Sequence, residues 1–294
     1  MINIVIPVFN RKKYTRQCLE CLVGQTYRNF RIIVVDDGST DGTSEMIEQD
    51  FPSVVLLHGN GNLWWTEGTN WGVRYALMHE VKGEDNFVLT LNDDTKVEAN
   101  YLQTLIDAYE LHKPCLIGSV CVDSENPDKL EFAGTAFELY TAGGKNLAAD
   151  YNYSYPELKA KAAWLNSDSL SGRGALIPMI VFKKIGLYDA TNYIHYMSDI
   201  DFSVRARKAG FPLVVNTNSL VYEYVNETGI QTERRISWKE FFSGFTSIKS
   251  PTYLKARYHF AKAHSKTKLL YFVADISRIS IGFLLRKVGL VKTV

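Results

Sequence analysis

A chain of 294 residues with a formal net charge of +1 is long enough to bury a substantial core, and its near-neutral balance excludes wholesale nucleic-acid binding. Its cysteines, Cys18, Cys21, Cys115 and Cys121, are too few for a disulfide scaffold at this length. Cys18 and Cys21 fall in a predicted helix beside Leu19 and Leu22 with no matching Cys or His pair at zinc spacing, so they read as buried free thiols of a reducing, cytoplasmic setting.

From the amino end, Ile2 to Ile6 reads as a buried strand ending at Pro7, with neither a basic leader nor a small-residue cleavage site, so no signal peptide is expected. Apolar spacing predicts a helix over Lys12 to Val23 and a second strand over Arg31 to Val35. That strand is halted by Asp36-Asp37-Gly38-Ser39-Thr40-Asp41-Gly42-Thr43, a run of turn formers in which Asp41 or Thr43 suits the cap of the helix carrying Met46 and Ile47. Val54 to Leu57 is a third strand, Gly68 to Met78 a helix, Phe87 to Leu91 a fourth strand, Tyr101 to Leu111 a helix and Leu116 to Val122 a fifth strand. The alternation predicts an α/β fold, a mostly parallel Rossmann-like sheet with helices on both faces.

The second half is less regular. Glu131 to Tyr140 and Ala175 to Ile180 read as strands of an antiparallel or mixed part, and Ser171-Gly172-Arg173-Gly174 as a loop whose bare backbone can approach a ligand. A helix follows Tyr193-Ile194-His195-Tyr196-Met197-Ser198-Asp199-Ile200-Asp201. Strand signals stop near Asn226, and the pattern is helical from Trp238. The expected organisation is a unit over 1–225, with halves 1–122 and 123–225, and a helical extension over 226–294. From Lys249 on, the basic residues face a single acid, Asp275, which suits an anionic surface. Leu269, Leu270, Phe272, Val273, Ile276, Ile279, Phe283 and Leu284 share one helical face that Asp275 and Arg278 interrupt. A spanning helix needs about 20 mostly apolar residues, so this one reads as a helix lying at a membrane interface or as an ordinary core-facing helix.

The chemistry concentrates where Phe87 to Leu91 stops at Asn92-Asp93-Asp94. Adjacent carboxylates stay ionised together only when solvated, hydrogen-bonded or neutralised by a cation. Mg²⁺ or Mn²⁺ suits such oxygen ligands and commonly shares them with substrate phosphates; a solvated turn is the alternative. In parallel sheets ligands bind beyond the carboxyl ends of the strands. Pro7-Val8-Phe9-Asn10, Asp36-Asp37 and Asn92-Asp93-Asp94 all occupy that edge, so one crevice can collect them.

Pro7-Val8-Phe9-Asn10-Arg11, Gln25-Thr26-Tyr27 and Ile33 through Thr43 closely resemble the opening of family-2 glycosyltransferases with the GT-A fold. Gly61-Asn62 through Gly68-Thr69-Asn70-Trp71-Gly72 is similar to the glycine-and-asparagine block of that family. Leu91-Asn92-Asp93-Asp94-Thr95 takes the place of its D-x-D motif, and Ser198-Asp199-Ile200-Asp201-Phe202 looks like its acidic E-D-x-D element. The resemblance covers roughly Met1 to Tyr224, and the order and spacing of its motifs make it more specific than any one of them.

The resemblance implies a sugar transferase, of the bacterial surface-polysaccharide branch or the rhamnosyltransferase-like one, in which 1–122 holds the nucleotide sugar and 123–225 the acceptor. Pro7, Val8, Phe9, Asn10 and Asp37 would hold the base and ribose of a UDP or dTDP sugar, with Asn70, Asp93 and Arg173 completing the nucleotide-sugar site. Asp94 would ligate Mn²⁺ or Mg²⁺ bridging the diphosphate, and Asp199 would be the general base in an inverting displacement. The acceptor would be a glycan, lipid-linked and held at the inner face of the cell membrane through the C-terminal helices. No nucleic acid is expected as partner.

Departures accompany the match. Asn92 begins the metal motif, Ser198 replaces the usual Glu, and Glu223 stands where many relatives carry a His; Glu223 reads as a metal ligand or as an exposed strand residue. Gln231-Thr232-Glu233-Arg234 resembles part of the Q-x-x-R-W signature of processive synthases, but Arg235 stands in place of Trp. Trp65, with Trp64 and Trp71, reads as sugar contact or core, and His195, Tyr196 and Asp201 as an acceptor pocket or plain packing. Arg173 and Arg205 read as phosphate contacts or structural ion pairs. The alternatives are a nucleotidyltransferase, which would be expected to carry a glycine-rich basic loop after the first strand, and an inactive nucleotide-sugar-binding relative.

Overall fold

The computed structural model describes residues 1–225, 237–288 and 290; the Gln231 to Arg235 segment lies outside the described residues. In chain order the first half runs β1 (Ile2–Val8), α1 (Lys12–Val23), β2 (Phe30–Asp36), α2 (Thr43–Asp50), β3 (Val55–His58), α3 (Trp64–Met78), β4 (Phe87–Thr90), β5 (Thr95–Lys96), α4 (Tyr101–His112) and β6 (Leu116–Asp123). Then come β7 (Leu130–Phe132), β8 (Thr135–Phe137), β9 (Gly144–Asn146), α5 (Tyr155–Lys161), β10 (Trp164–Asn166), β11 (Ala175–Pro178), α6 (Met179–Ile185), α7 (Ser198–Lys208) and β12 (Leu213–Glu223). Three helices follow, α8 (Trp238–Gly244), α9 (Leu254–His264) and α10 (Leu269–Lys287).

The main sheet has the order β10-β12-β6-β11-β4-β1-β2-β3, with β5 added beside β12 and β7 beside β6. β1 pairs in parallel with both β2 and β4, and β2 with β3. β11 runs antiparallel between β4 and β6, the mixed part expected of the second half. Side chains on β1 alternate between faces. Ile2, Ile4 and Ile6 pack with Leu19 and Leu22 of α1, Met46 of α2 and Leu102 of α4. Val5 joins Val73 of α3, Phe182 of α6 and Phe202 of α7 on the opposite face.

This topology brings remote segments to one edge. β1, β2 and β4 deliver their carboxyl ends there, and antiparallel β11 delivers its amino end, with Ala175 opposite Thr90. β12 finishes antiparallel to β5, with Glu223 opposite Thr95, so Glu223 arrives beside the Asp93-Asp94 turn.

Three elements depart from the expected pattern for local reasons. Glu131 to Tyr140 is divided into β7 and β8 because Gly134 takes φ +98, a conformation favouring glycine, and a Cβ there would lie 2.8 Å from Ser167 Oγ. β11 ends at Pro178 and passes directly into α6, instead of extending through Ile180. α3 begins at Trp64, well ahead of Gly68, because a carboxylate from elsewhere in the chain satisfies its first N–H groups. Asp41 serves two helices, its Oδ1 accepting from Thr43 N at 3.1 Å and its Oδ2 from Lys12 N at 2.9 Å.

The C-terminal helices pack on the body of the molecule: Ala256, Phe260 and Tyr271 form one apolar cluster with Tyr193, Met197 and Val204. Asp275, which interrupts the apolar run of α10, is buried and accepts from Arg257 at 2.5 Å and Arg278 at 2.8 Å. The inward face of α10 is therefore Tyr271, Asp275 and Phe283, while Leu269, Leu270, Val273 and Leu284 stay exposed. Among the described residues no helix is long and apolar enough to cross a membrane.

Candidate active site

A cleft of about 760 Å³ opens at that sheet edge. Pro7, Val8 and Phe9 line it from β1, Asp37 from β2, Asp93 and Asp94 from the turn after β4, and Glu223 from the end of β12. Trp65, Arg173, His195, Tyr196 and Asp199 complete the set of expected residues that it gathers.

Asp37 is buried and accepts from three backbone amides, Gly61 N at 2.8 Å on Oδ1, and Leu63 N at 2.8 Å and Trp64 N at 3.1 Å on Oδ2. It is both the cap of α3 and a cleft wall, with one acceptor position left over. Trp64, so anchored, adopts φ 57, rare for a bulky residue and of the kind that clusters at functional sites.

The acidic end is only partly neutralised. Arg11 Nη1 lies 2.7 Å from Asp94 Oδ2 and 3.7 Å from Asp93 Oδ1. Arg173 Nη1 lies 2.7 Å from Glu223 Oε2. The remaining oxygens, Asp93 Oδ2, Asp94 Oδ1 and Glu223 Oε1, are buried without a hydrogen-bond partner. Burial first, and then the neighbouring Asp94, push the Asp93 carboxyl up to about 8 against the pull of Arg11. Burial likewise raises Glu223, with Arg173 opposing and Asp94 adding. Among the described residues no three His, Cys, Asp or Glu side chains are gathered closely enough to hold a metal by themselves. Orphaned carboxylate oxygens are nevertheless the donor set of a hard divalent ion that completes its shell with water and substrate phosphate, so these residues fit Mn²⁺ or Mg²⁺.

Asp199 stands at the first turn of α7. Its Oδ2 accepts from Gly172 N at 3.2 Å and its Oδ1 from Ile200 N at 2.9 Å. Burial raises its pKa, against those amides and Arg173. Consecutive residues thus join two acids: Gly172 holds Asp199 while Arg173 holds Glu223. Trp65 Nε1 donates to Asn92 Oδ1 at 2.9 Å, and Thr66 Oγ1 to Ser198 Oγ at 2.9 Å. Two of the departures from the family pattern, Asn92 and Ser198, therefore tie α3 to the cleft walls.

Asn10, Asn70, Asp201 and Arg205 lie outside the cleft lining. Asn70 is buried, donating to Tyr188 O at 2.9 Å and accepting from Tyr188 N at 3.0 Å, so its amide is consumed in clamping α3 to the Tyr188 loop. Asp201 is turned into the body, where Oδ2 accepts from Arg205 at 2.8 Å and Oδ1 lies 2.6 Å from His264 Nε2. Arg205 also donates to Ile185 O and Leu187 O at 2.9 Å, which makes it a structural pair and not a phosphate contact. Asn10 accepts from Thr40 N at 2.7 Å and shapes the rim. Sequence reasoning gave no role to Arg11, although it lies inside a quoted motif. It passed over Lys249, which lines the cleft from the turn after α8, and His264, whose partner is 63 residues away.

The chain shares its fold with two solved structures. It superposes on S. aureus TarS with a TM-score of 0.58 at 15% identity, covering 98% of this chain and 43% of TarS. It superposes on GalNAc-T7, solved with UDP, GalNAc and Mn²⁺, with a TM-score of 0.59 at 14% identity, covering 96% and 57%. The fold is thus the GT-A type. In sequence it is 28% identical over 204 residues to an uncharacterized glycosyltransferase of Rickettsia typhi, covering 68% of this chain and 57% of that protein. It is 35% identical over 109 residues to the glycosyltransferase GlyG of Streptococcus pneumoniae, covering 36% and 34%. The chain thus spans under two thirds of the length of these relatives. An N-acetylglucosaminyl-diphospho-decaprenol L-rhamnosyltransferase of Mycobacterium tuberculosis is 24% identical over 247 residues, 78% of each chain. The family model described as Glycosyl transferase family 2 matches residues 3–184, and with the cleft carboxylates ordered along the same fold, the chain belongs to glycosyl transferase family 2.

Proposed function

We propose that the protein transfers a sugar from a UDP or dTDP sugar to a hydroxyl of a glycan acceptor by a single inverting displacement. What carries this reading is that Asp199 shares one cleft with the orphaned oxygens of Asp94 and Glu223. Pro7, Val8, Phe9 and Asp37 would hold the nucleoside, Asp93 would lie near the ribose, and Asp94 with Glu223 would hold Mn²⁺ or Mg²⁺. The bound cation supplies neutralisation of the charge that builds on the departing diphosphate. Asp199 takes the proton of the acceptor hydroxyl as its oxygen bonds to the anomeric carbon. The bond from that carbon to the diphosphate oxygen breaks, and the nucleoside diphosphate leaves. Arg11 and Arg173 aim the acids, Arg11 opposing the upward push of burial on Asp93 and Arg173 that on Glu223 and Asp199.

The acceptor of this reading is a lipid-linked glycan at the inner face of the cell membrane. The Mycobacterium tuberculosis relative carries a diphospho-decaprenol acceptor in its name, and α10 presents exposed Leu269, Leu270 and Val273 near Lys266 and Lys268, the composition of a helix that rests on anionic lipid.

Thermal shift with UDP, dTDP and GDP sugars, each with and without Mn²⁺, tests the donor half: a rise of several degrees is expected only for a matching nucleotide with metal. Release of nucleoside diphosphate on adding acceptor tests the transfer. A donor-bound protein that releases none on any glycan acceptor would instead be a binding module.

A further inference from the structure

Three residues of the cleft lining have no part in the donor site proposed above. Trp64 and His195 meet edge to face with ring centroids 6.0 Å apart, and Lys249 Nζ sits 5.3 Å from the Trp64 ring centroid. All three line the cleft. Its other cations are taken, Arg11 by Asp94 and Arg173 by Glu223. Lys249 makes no ion pair with a carboxylate among the described residues; its side chain meets Trp64 and its amide donates to Ser247 Oγ at 3.2 Å. His195 Nδ1 is buried without a hydrogen-bond partner. A solvent-exposed ammonium without a carboxylate partner, beside an imidazole whose Nδ1 lacks one, offers donors to a small anion.

We propose that Trp64, His195 and Lys249 form a subsite for a phosphate group carried by the acceptor. This rests on the reading of Asp199 as the base, because His195 and Tyr196 lead directly into the α7 turn that carries it. A phosphate has enough oxygens to accept from Lys249 Nζ and from His195 in the tautomer protonated at Nδ1, while Trp64 covers the apolar side. The donor diphosphate would be met by carboxylates through a cation and the acceptor phosphate by a lysine, so the two phosphorylated ligands would be told apart by chemistry.

The test uses the full chain saturated with UDP and Mg²⁺, titrated calorimetrically with geranyl monophosphate, with geraniol as the uncharged control. The wild type is expected to bind the phosphate and not the alcohol. Lys249→Met should weaken that binding by about tenfold and Lys249→Arg by about threefold or less, with UDP affinity and melting temperature unchanged in both. Three results overturn the proposal: no binding of geranyl monophosphate by the wild type, equal binding by Lys249→Met, or a parallel loss of UDP affinity, which would assign the lysine to the donor diphosphate. Failure of UDP to bind at all strikes the donor reading instead, and the lysine dependence is then read from the same titration without nucleotide.

Discussion

The Gly172 amide donates to Oδ2 of Asp199 at 3.2 Å, while a Cβ on Gly172 would lie 2.3 Å from Trp65 Cζ2. The carboxylate proposed as the base is thus aimed by a backbone group that only a residue without a side chain can bring so close to the indole. Gly172→Ala should force Trp65 or the loop to shift. It should lower stability by about 1–3 kcal/mol and turnover by more than that loss explains, checked by urea denaturation beside steady-state kinetics.

Asp199 itself should be dispensable for donor binding and not for transfer. Asp199→Asn is expected to retain the thermal shift with nucleotide sugar and Mn²⁺ while turnover falls by about 10²–10⁴. Because burial raises its pKa, the carboxylate takes up its proton at a higher pH than a free aspartate. Activity should therefore fail on the acid side earlier than an unperturbed carboxylate would allow, and a pH profile of kcat/KM measures it. An acid limb at the ordinary carboxylate position would remove Asp199 from the role.

Removal of the cation, or of its ligands, should act on nucleotide affinity before chemistry. Asp94→Asn and Glu223→Gln are expected to weaken UDP binding in Mn²⁺ by about tenfold or more and to leave binding in chelator nearly unchanged, as calorimetry at fixed metal would show. A metal-independent loss of affinity would point to nucleotide contact in place of metal ligation.

Asp201 calls for a different outcome. Burial alone would raise its pKa, but His264 and Arg205 outweigh it and the net shift is downward. Its contribution to stability is present above the unfolded carboxyl value and disappears as pH falls through the lowered folded one. Asp201→Asn should cost about 3 kcal/mol near neutrality, the order expected when one partner of a buried pair is removed. The gap from wild type should narrow in acid, as denaturant titrations at several pH values would show.

The outward face of α10 predicts lipid contact. Leu270→Glu together with Val273→Glu, at positions 71% and 53% exposed, should leave folding intact and reduce cosedimentation with phosphatidylglycerol vesicles about tenfold. Unchanged sedimentation would assign that face to something other than membrane.

Much of this cleft was legible beforehand, because abrupt apolar-to-acidic transitions at strand ends are local events. Asp37 and Asp94 could each be placed at an edge from a few neighbours, whereas Asp199 entered only through the family resemblance. Whether a polar residue at that edge is free or already consumed is not local. Asn70 and Asp201 sit inside the right motifs, yet their side chains are engaged by Tyr188, 118 residues away, and by His264, 63 residues away. Lys249 shows the converse: nothing around Ser247-Ile248-Lys249-Ser250 marks a site, and only the turn after α8 brings it to Trp64. Glu223, open between ligand and strand residue, lines the cleft through antiparallel pairing of β12 with a two-residue strand too short to foresee.

The 2.6 Å contact between His264 and Asp201 means that the tail is a strut under the helix that carries Asp199, the proposed base. The family signature ends at residue 184, yet Asp199, Glu223 and this brace all follow it. Exchanging tails between relatives would then be expected to retune turnover as well as cellular address, and a chain trimmed after Val225 would keep its acids while losing the prop beneath one of them.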